Sequence, residues 1–144
     1  MLQIRPLNDR FAVAPQIAPE DLPAIAAAGY VAIVNNRPDD EEPGQPTSAE
    51  IRAAAQAAGL GYAEVPVTQA GFSQPQLDAL TAALTAGDGP VLAYCRSGTR
   101  SCNLWALAAA RGGRDPALLV EQADGAGYDL SGLRATLDAL AASR

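Results

Sequence analysis

The seven residues from Cys95 to Ser101, read Cys-Arg-Ser-Gly-Thr-Arg-Ser, carry the chain's clearest chemical potential. The apolar run Pro90–Tyr94 ends in the cysteine, a short loop with Gly98 and two arginines follows, and a helix-like segment comes next. A thiolate in such a place meets peptide dipoles, loop N–H groups and guanidinium, all of which favour the anion over the thiol. Cys95 is therefore expected to be a nucleophile, and Arg100 to face a bound oxyanion with its planar fork. Ser97, Gly98 and Thr99 would shape the anion loop, with Gly98 permitting a positive φ. Arg96 either joins the anion or points to solvent and lends its field. Ser101 either donates to the sulfur or caps the helix.

Composition narrows the chemistry further. The sequence contains no histidine, which removes Ser-His-Asp and Cys-His catalysis and any histidine-ligated metal. With two cysteines a structural zinc site is not expected, nor is a cofactor. Cys95 and Cys102 are read as reduced thiols, Cys102 as a small buried residue. A net charge of −6 argues against nucleic acid as partner. No apolar run is long enough to span a bilayer, and the N-terminus lacks a signal-peptide layout, so a cytoplasmic protein is expected. Residues 1–144 are read as one domain.

The elements that must position the loop alternate in type. Ile4–Leu7 and Phe11–Ala14 flank Asn8-Asp9 as a hairpin, and Pro19–Ala28 reads as a helix closed by Gly29. Tyr30–Val34 reads as a strand buried on both faces, followed by a polar, proline-rich loop from Asn35 to Pro46. The capping box Thr47-x-x-Glu50 opens a helix that Gly59 ends, and Tyr62–Val67 is the next strand. Ser73-x-x-Gln76 starts a helix with Leu77, Leu80 and Leu84 on one face. Val91–Tyr94 is a second fully apolar strand, and Leu104, Leu107 and Ala108 line the inner face of the helix after it. Asp115-Pro116 begins a helix through Ala123, and Ser131 begins a last one with Leu133, Leu137 and Leu140.

This order implies an α/β fold with a mostly parallel sheet of four or five strands and helices on both faces. Ligands of such sheets bind beyond the carboxyl ends of the strands. Three strand ends then converge: Asn35-Asn36-Arg37, Thr68-Gln69 and Cys95. Arg37 and Asn36 either bind an anionic tail of the substrate or staple their own loop, Arg37 through an Arg–Asp pair. Asp39 to Glu42 reads as a solvated acidic loop and Trp105 as core, whereas Tyr128-Asp129 has no assigned role.

Asn35-Asn36-Arg37-Pro38-Asp39-Asp40-Glu41, Tyr62-x-x-x-Pro66-Val67 and the Cys95–Ser101 loop with Leu104-Trp105 together resemble the bacterial beta-lactamase-hydrolase-like, phosphatase-like domain family. The resemblance runs from about Ile4 to Leu140 and implies a cysteine-phosphatase-like, dual-specificity-phosphatase-like three-layer fold. The family also occurs fused to a persulfide dioxygenase, which implies a persulfide-oxidising enzyme as functional partner. Two departures from the phosphatases bear on chemistry. Their Cys-x5-Arg loop is here Cys-x4-Arg, similar to rhodanese-type sulfurtransferases, and Gln69 stands where they carry an aspartic acid. Asp39, Asp40 or Glu41 could replace that acid. The leading expectation is a sulfurtransferase that moves sulfane sulfur from thiosulfate or a small persulfide, through a Cys95 persulfide, to an acceptor thiol. The alternatives are a phosphatase-like hydrolase working through phosphocysteine at Cys95 and a non-catalytic anion- or partner-binding domain. Arg96, Ser97, Gly98, Thr99, Arg37, Asn36 and Gln69 are the expected anion or substrate contacts.

Overall fold

A computed structural model of the chain describes residues 2–143. Five strands, β1 (Arg5–Pro6), β2 (Phe11–Ala14), β3 (Ala32–Asn35), β4 (Gly61–Glu64) and β5 (Val91–Tyr94), form one sheet in the order β1-β2-β5-β3-β4. Only β1 runs antiparallel, as the first arm of the expected hairpin, with Arg5 opposite Val13. The other four are parallel, and β5 lies in the middle. Their register is level: Ala14 pairs with Tyr94, Tyr94 with Asn35 and Asn35 with Glu64. The four parallel strands therefore end in one row, and the loops that leave them share one rim.

The central strands bury both faces, as their β-branched, unalternating sequences require. On one side Ala12, Ile33 and Leu92 pack with Ile25 and Ile51 from α1 (Leu22–Ala27) and α2 (Ser48–Ala57). On the other, Val13, Val34 and Ala93 meet α3 (Gln74–Thr85), α4 (Thr99–Arg111), α5 (Pro116–Gly125) and α6 (Arg134–Ala142). Leu104 and Leu119 are fully buried there, each worth about 1.5–3 kcal/mol relative to exposure. Trp105 is core as expected, stacked on Phe11 with ring centroids 6.0 Å apart. Three layers result.

Several boundaries differ from the sequence reading, each for a local reason. The first helix divides into a 3-10 turn, Pro19–Asp21, and α1, with Pro23 in the first turn of α1 where its missing N–H costs nothing. β3 includes Asn35, which the sequence assigned to the loop, while Val31 lies just before the strand, donating to the Pro90 carbonyl and accepting from Gly61 N–H. β4 stops at Glu64 because Pro66 has no N–H for a ladder. Val65 and Val67 nevertheless donate to Asn35 and Asn36, so the chain follows β3 to the rim. α2 keeps its capping box, with the Thr47 hydroxyl accepting from Glu50 N–H at 3.1 Å. α5 continues to Gly125, and the last helix is a 3-10 turn, Ser131–Leu133, followed by α6. No helix among the described residues is long and apolar enough to cross a membrane.

Candidate active site

Cys95 follows β5 directly and α4 begins at Thr99, so the loop between them spans only Cys95–Gly98. Gly98 is the N-cap of α4 with φ +91°, a conformation that L side chains rarely adopt. Its N–H points back to Cys95 Sγ at 3.0 Å. The first bond of the α4 ladder is Cys102 N–H to the Gly98 carbonyl, which leaves the N–H groups of the first turn outside that ladder. Both features hold positive potential at the sulfur. Cys95 is itself fully buried, so an incoming group must pass the side chains in front of it.

Those side chains line a cavity of about 510 Å³: Glu41, Thr68, Gln69, Arg96 and Arg100. Arg100 presents its fork to the Glu41 carboxylate, with Nη1 2.7 Å from Oε2 and Nη2 2.8 Å from Oε1. Nη1 also donates to the Val67 carbonyl at 2.8 Å. Two parallel bonds to two oxygens are the geometry of oxyanion recognition, here filled by the protein's own carboxylate. Arg96 is exposed, with only a 3.6 Å approach to Glu42, and adds field at the mouth.

The acidic loop is not simply solvated. Arg37, 2 % exposed, donates to Glu41 at 2.8 Å, Glu42 at 3.0 Å and the Gln16 side chain at 3.0 Å. It thus staples its loop, through glutamates rather than an aspartate, and does not line the cavity. Asn36 likewise does not line the cavity: it is fully buried, its amide donates to the Val65 carbonyl, and its Oδ1 has no partner among the described residues. Asn35 braces the same corner, donating to Ser48 and Tyr62 and accepting from Arg37 N–H.

The three candidate acids sit in three different settings. Asp39 caps α2, accepting from Ser48 N–H at 2.8 Å and from its hydroxyl at 3.0 Å. Asp40 occupies an exposed turn at φ +64° and does not line the cavity. Glu41 is held ionised, its carboxyl lowered to about 2 by the hydrogen bonds of Arg100 and then Arg37, against the opposing effect of burial. Gln69 does line the cavity, as its sequence position suggested.

A folded-state value below the ordinary 4.5 means that Glu41 contributes stability fully above about that pH, and loses it as pH falls toward about 2. Glu41→Gln should therefore flatten the acid limb of a melting-temperature-against-pH curve. Equal slopes for the variant and the unaltered protein between those limits would contradict the pairing.

Ser97 and Thr99 are exposed and bond to each other through their hydroxyls at 3.0 Å, so they shape the loop rather than line the cavity. Ser101 is fully buried and its Oγ has no partner within the protein. Cys102 is a core residue whose thiol is pushed up to about 12 by burial. Sequence reasoning missed Gln16, whose backbone N–H donates to the Arg96 carbonyl at 3.2 Å. It missed Arg5 and Tyr128 too. No motif announces these residues; they reach the loop only through tertiary packing.

A cysteine beyond the central parallel strand, with its sulfur under a helix N-terminus and an arginine fork in front, defines the cysteine-phosphatase fold class. The comparisons agree with that class. Residues 3–112 match the beta-lactamase hydrolase-like protein, phosphatase-like domain, and the chain belongs to that family. The Beta-lactamase hydrolase-like protein of Agrobacterium fabrum is 38% identical over 108 residues, covering 75% of this chain and 25% of its own length. The chain thus spans about a quarter of that curated relative. A candidate phosphatase from Neisseria meningitidis has a crystal structure with TM-score 0.83 and 33% identity, covering 95% of this chain and 97% of its own. A cysteine-to-serine form of P. aeruginosa TpbA in complex with phosphotyrosine shares the fold at TM-score 0.65 and 16% identity, covering 97% of this chain and 88% of its own. These likenesses fit the phosphatase-like alternative better than the leading expectation of sulfur transfer, which they do not support.

Proposed function

We infer that this chain is a cysteine-dependent phosphatase-like hydrolase whose substrate is a small phosphate monoester with a good leaving group, such as an aryl phosphate. The observation that carries this reading is the Arg100 fork on the Glu41 carboxylate beside the buried sulfur, an oxyanion seat already filled by an oxyanion. The phosphotyrosine held by TpbA fits the same substrate class.

In the reaction, Cys95 Sγ attacks phosphorus opposite the ester oxygen. The P–S bond forms as the P–O bond breaks, and the departing oxygen takes its proton from water. Water then attacks phosphorus, the P–S bond breaks, and the sulfur leaves again as thiolate while the water's proton passes to solvent. Arg100, having exchanged Glu41 for the phosphoryl oxygens, clamps the charge that spreads over them. In the substrate-free site no side chain lining the cavity is a protonated acid, because Glu41 is ionised while it is paired with Arg100 and Gln69 carries an amide. Turnover should accordingly fall steeply as the leaving group becomes more basic.

The direct test is p-nitrophenyl phosphate turnover, with mass spectrometry of acid-quenched protein to find phosphoryl on the Cys95 peptide. The same protein incubated with thiosulfate provides the contrast. A sulfur adduct at Cys95 with no phosphoryl adduct would return the chain to sulfur transfer. Gln69→Asp supplies an acid at the cavity wall and should raise alkyl phosphate turnover roughly tenfold, below the ~10²–10⁴ of a fully aligned acid. An unchanged rate would mean that the shortened loop, not the missing proton, limits the chemistry.

A further inference from the structure

The loop that holds Cys95 is braced by a residue outside the matched family region. Tyr128 follows α5, beyond residues 3–112, and is 7 % exposed. Its hydroxyl donates to the Ser97 carbonyl at 3.0 Å. The same oxygen accepts from Arg5 Nη1 at 3.1 Å, and the Arg5 guanidinium lies 5.4 Å from the Tyr128 ring centroid. A phenol has one proton. With Arg5 donating to the oxygen, that proton is directed to Ser97.

The Ser97 carbonyl and the Gly98 N–H belong to one trans peptide, so they point in opposite directions. Holding the carbonyl toward Tyr128 aims the N–H the other way, and the atom it meets is Cys95 Sγ at 3.0 Å. Tyr128 also packs against Gly98 so closely that a Cβ there would collide with its Oη. Peptides beside a positive-φ glycine are the ones most free to flip. Here Tyr128 removes that freedom.

We propose that Tyr128, oriented by Arg5, is a positioning residue that locks the Ser97–Gly98 peptide with its N–H on the Cys95 sulfur and so keeps the nucleophile anionic. The proposal deepens the phosphatase reading and rests on it for its functional meaning. Its test needs no phosphate ester, so the two can fail separately. The readout is site-resolved iodoacetamide alkylation of Cys95 as a function of pH. Tyr128→Phe keeps the ring and loses the carbonyl anchor. Alkylation of Cys95 at neutral pH should fall about tenfold, the scale of one hydrogen bond to a charged group. The difference from the unaltered protein should close at alkaline pH, where both sulfurs are ionised. A loss of packing or access alone would lower the rate by one factor at every pH. Arg5→Met leaves Tyr128 in place but frees its hydroxyl, and should shift the profile the same way by a smaller amount; it serves as the readout if Tyr128→Phe does not fold by circular dichroism. Profiles that overlay the unaltered protein's, or a pH-independent reduction, would overturn the proposal.

Discussion

Cys95→Ser should lower aryl phosphate turnover by at least ~10⁴-fold, the scale on which removing a covalent nucleophile disables a site. Serine keeps the side chain's size and its hydrogen bond from Gly98 N–H, so the loop should stay closed. What it loses is ionisation: a hydroxyl at the same helix N-terminus remains protonated where a thiol can yield its proton. Phosphate binding should survive, because Arg100 and the loop N–H groups are untouched. The measurement is a paired one, turnover together with a phosphate-induced rise in melting temperature. A variant that binds phosphate yet keeps more than a tenth of the activity would place the chemistry elsewhere.

The second large effect is at Arg100. Lysine retains the charge but is a compact ammonium that cannot make two parallel bonds to two oxygens. In the structure both Nη atoms are used at once, at 2.7 and 2.8 Å. Transfer of a phosphoryl group spreads charge over its equatorial oxygens, so the second bond strengthens as the reaction proceeds. Arg100→Lys should therefore lower kcat about 10²–10³-fold, with kcat/KM falling by the same factor. A raised KM with unchanged kcat would mean that the fork only captures the substrate.

Much of this was legible before any coordinates. The continuous apolar runs at Tyr30–Val34 and Val91–Tyr94, the Thr47-x-x-Glu50 box and the leucine spacing after Ser73 each gave an element whose type is correct, because each rests on a local rule. Cys95, Gly98 and Arg100 were legible because a tight loop at a helix start leaves few residue types that work. The roles of Arg37, Asn36 and the acidic loop were not. Arginine beside carboxylates reads as surface from sequence alone, and only packing decides that Arg37 is buried and that Glu41 bridges it to Arg100. Tyr128 was invisible for the same reason: its partners Arg5 and Ser97 lie 123 and 31 residues away. The sequence reading leaned on two local departures, loop length and Gln69, whereas the fold as a whole is that of the phosphatase-like family.

The burial of Cys102 has a bearing on oxidative damage. Thiol–disulfide exchange requires an attacking thiolate, and a group pushed up to about 12 supplies almost none at neutral pH. Cys95 and Cys102 are the chain's two cysteines. Once peroxide converts Cys95 to a sulfenic acid, Cys102 is not a ready resolving partner, and reduction needs another thiol able to enter past Arg100.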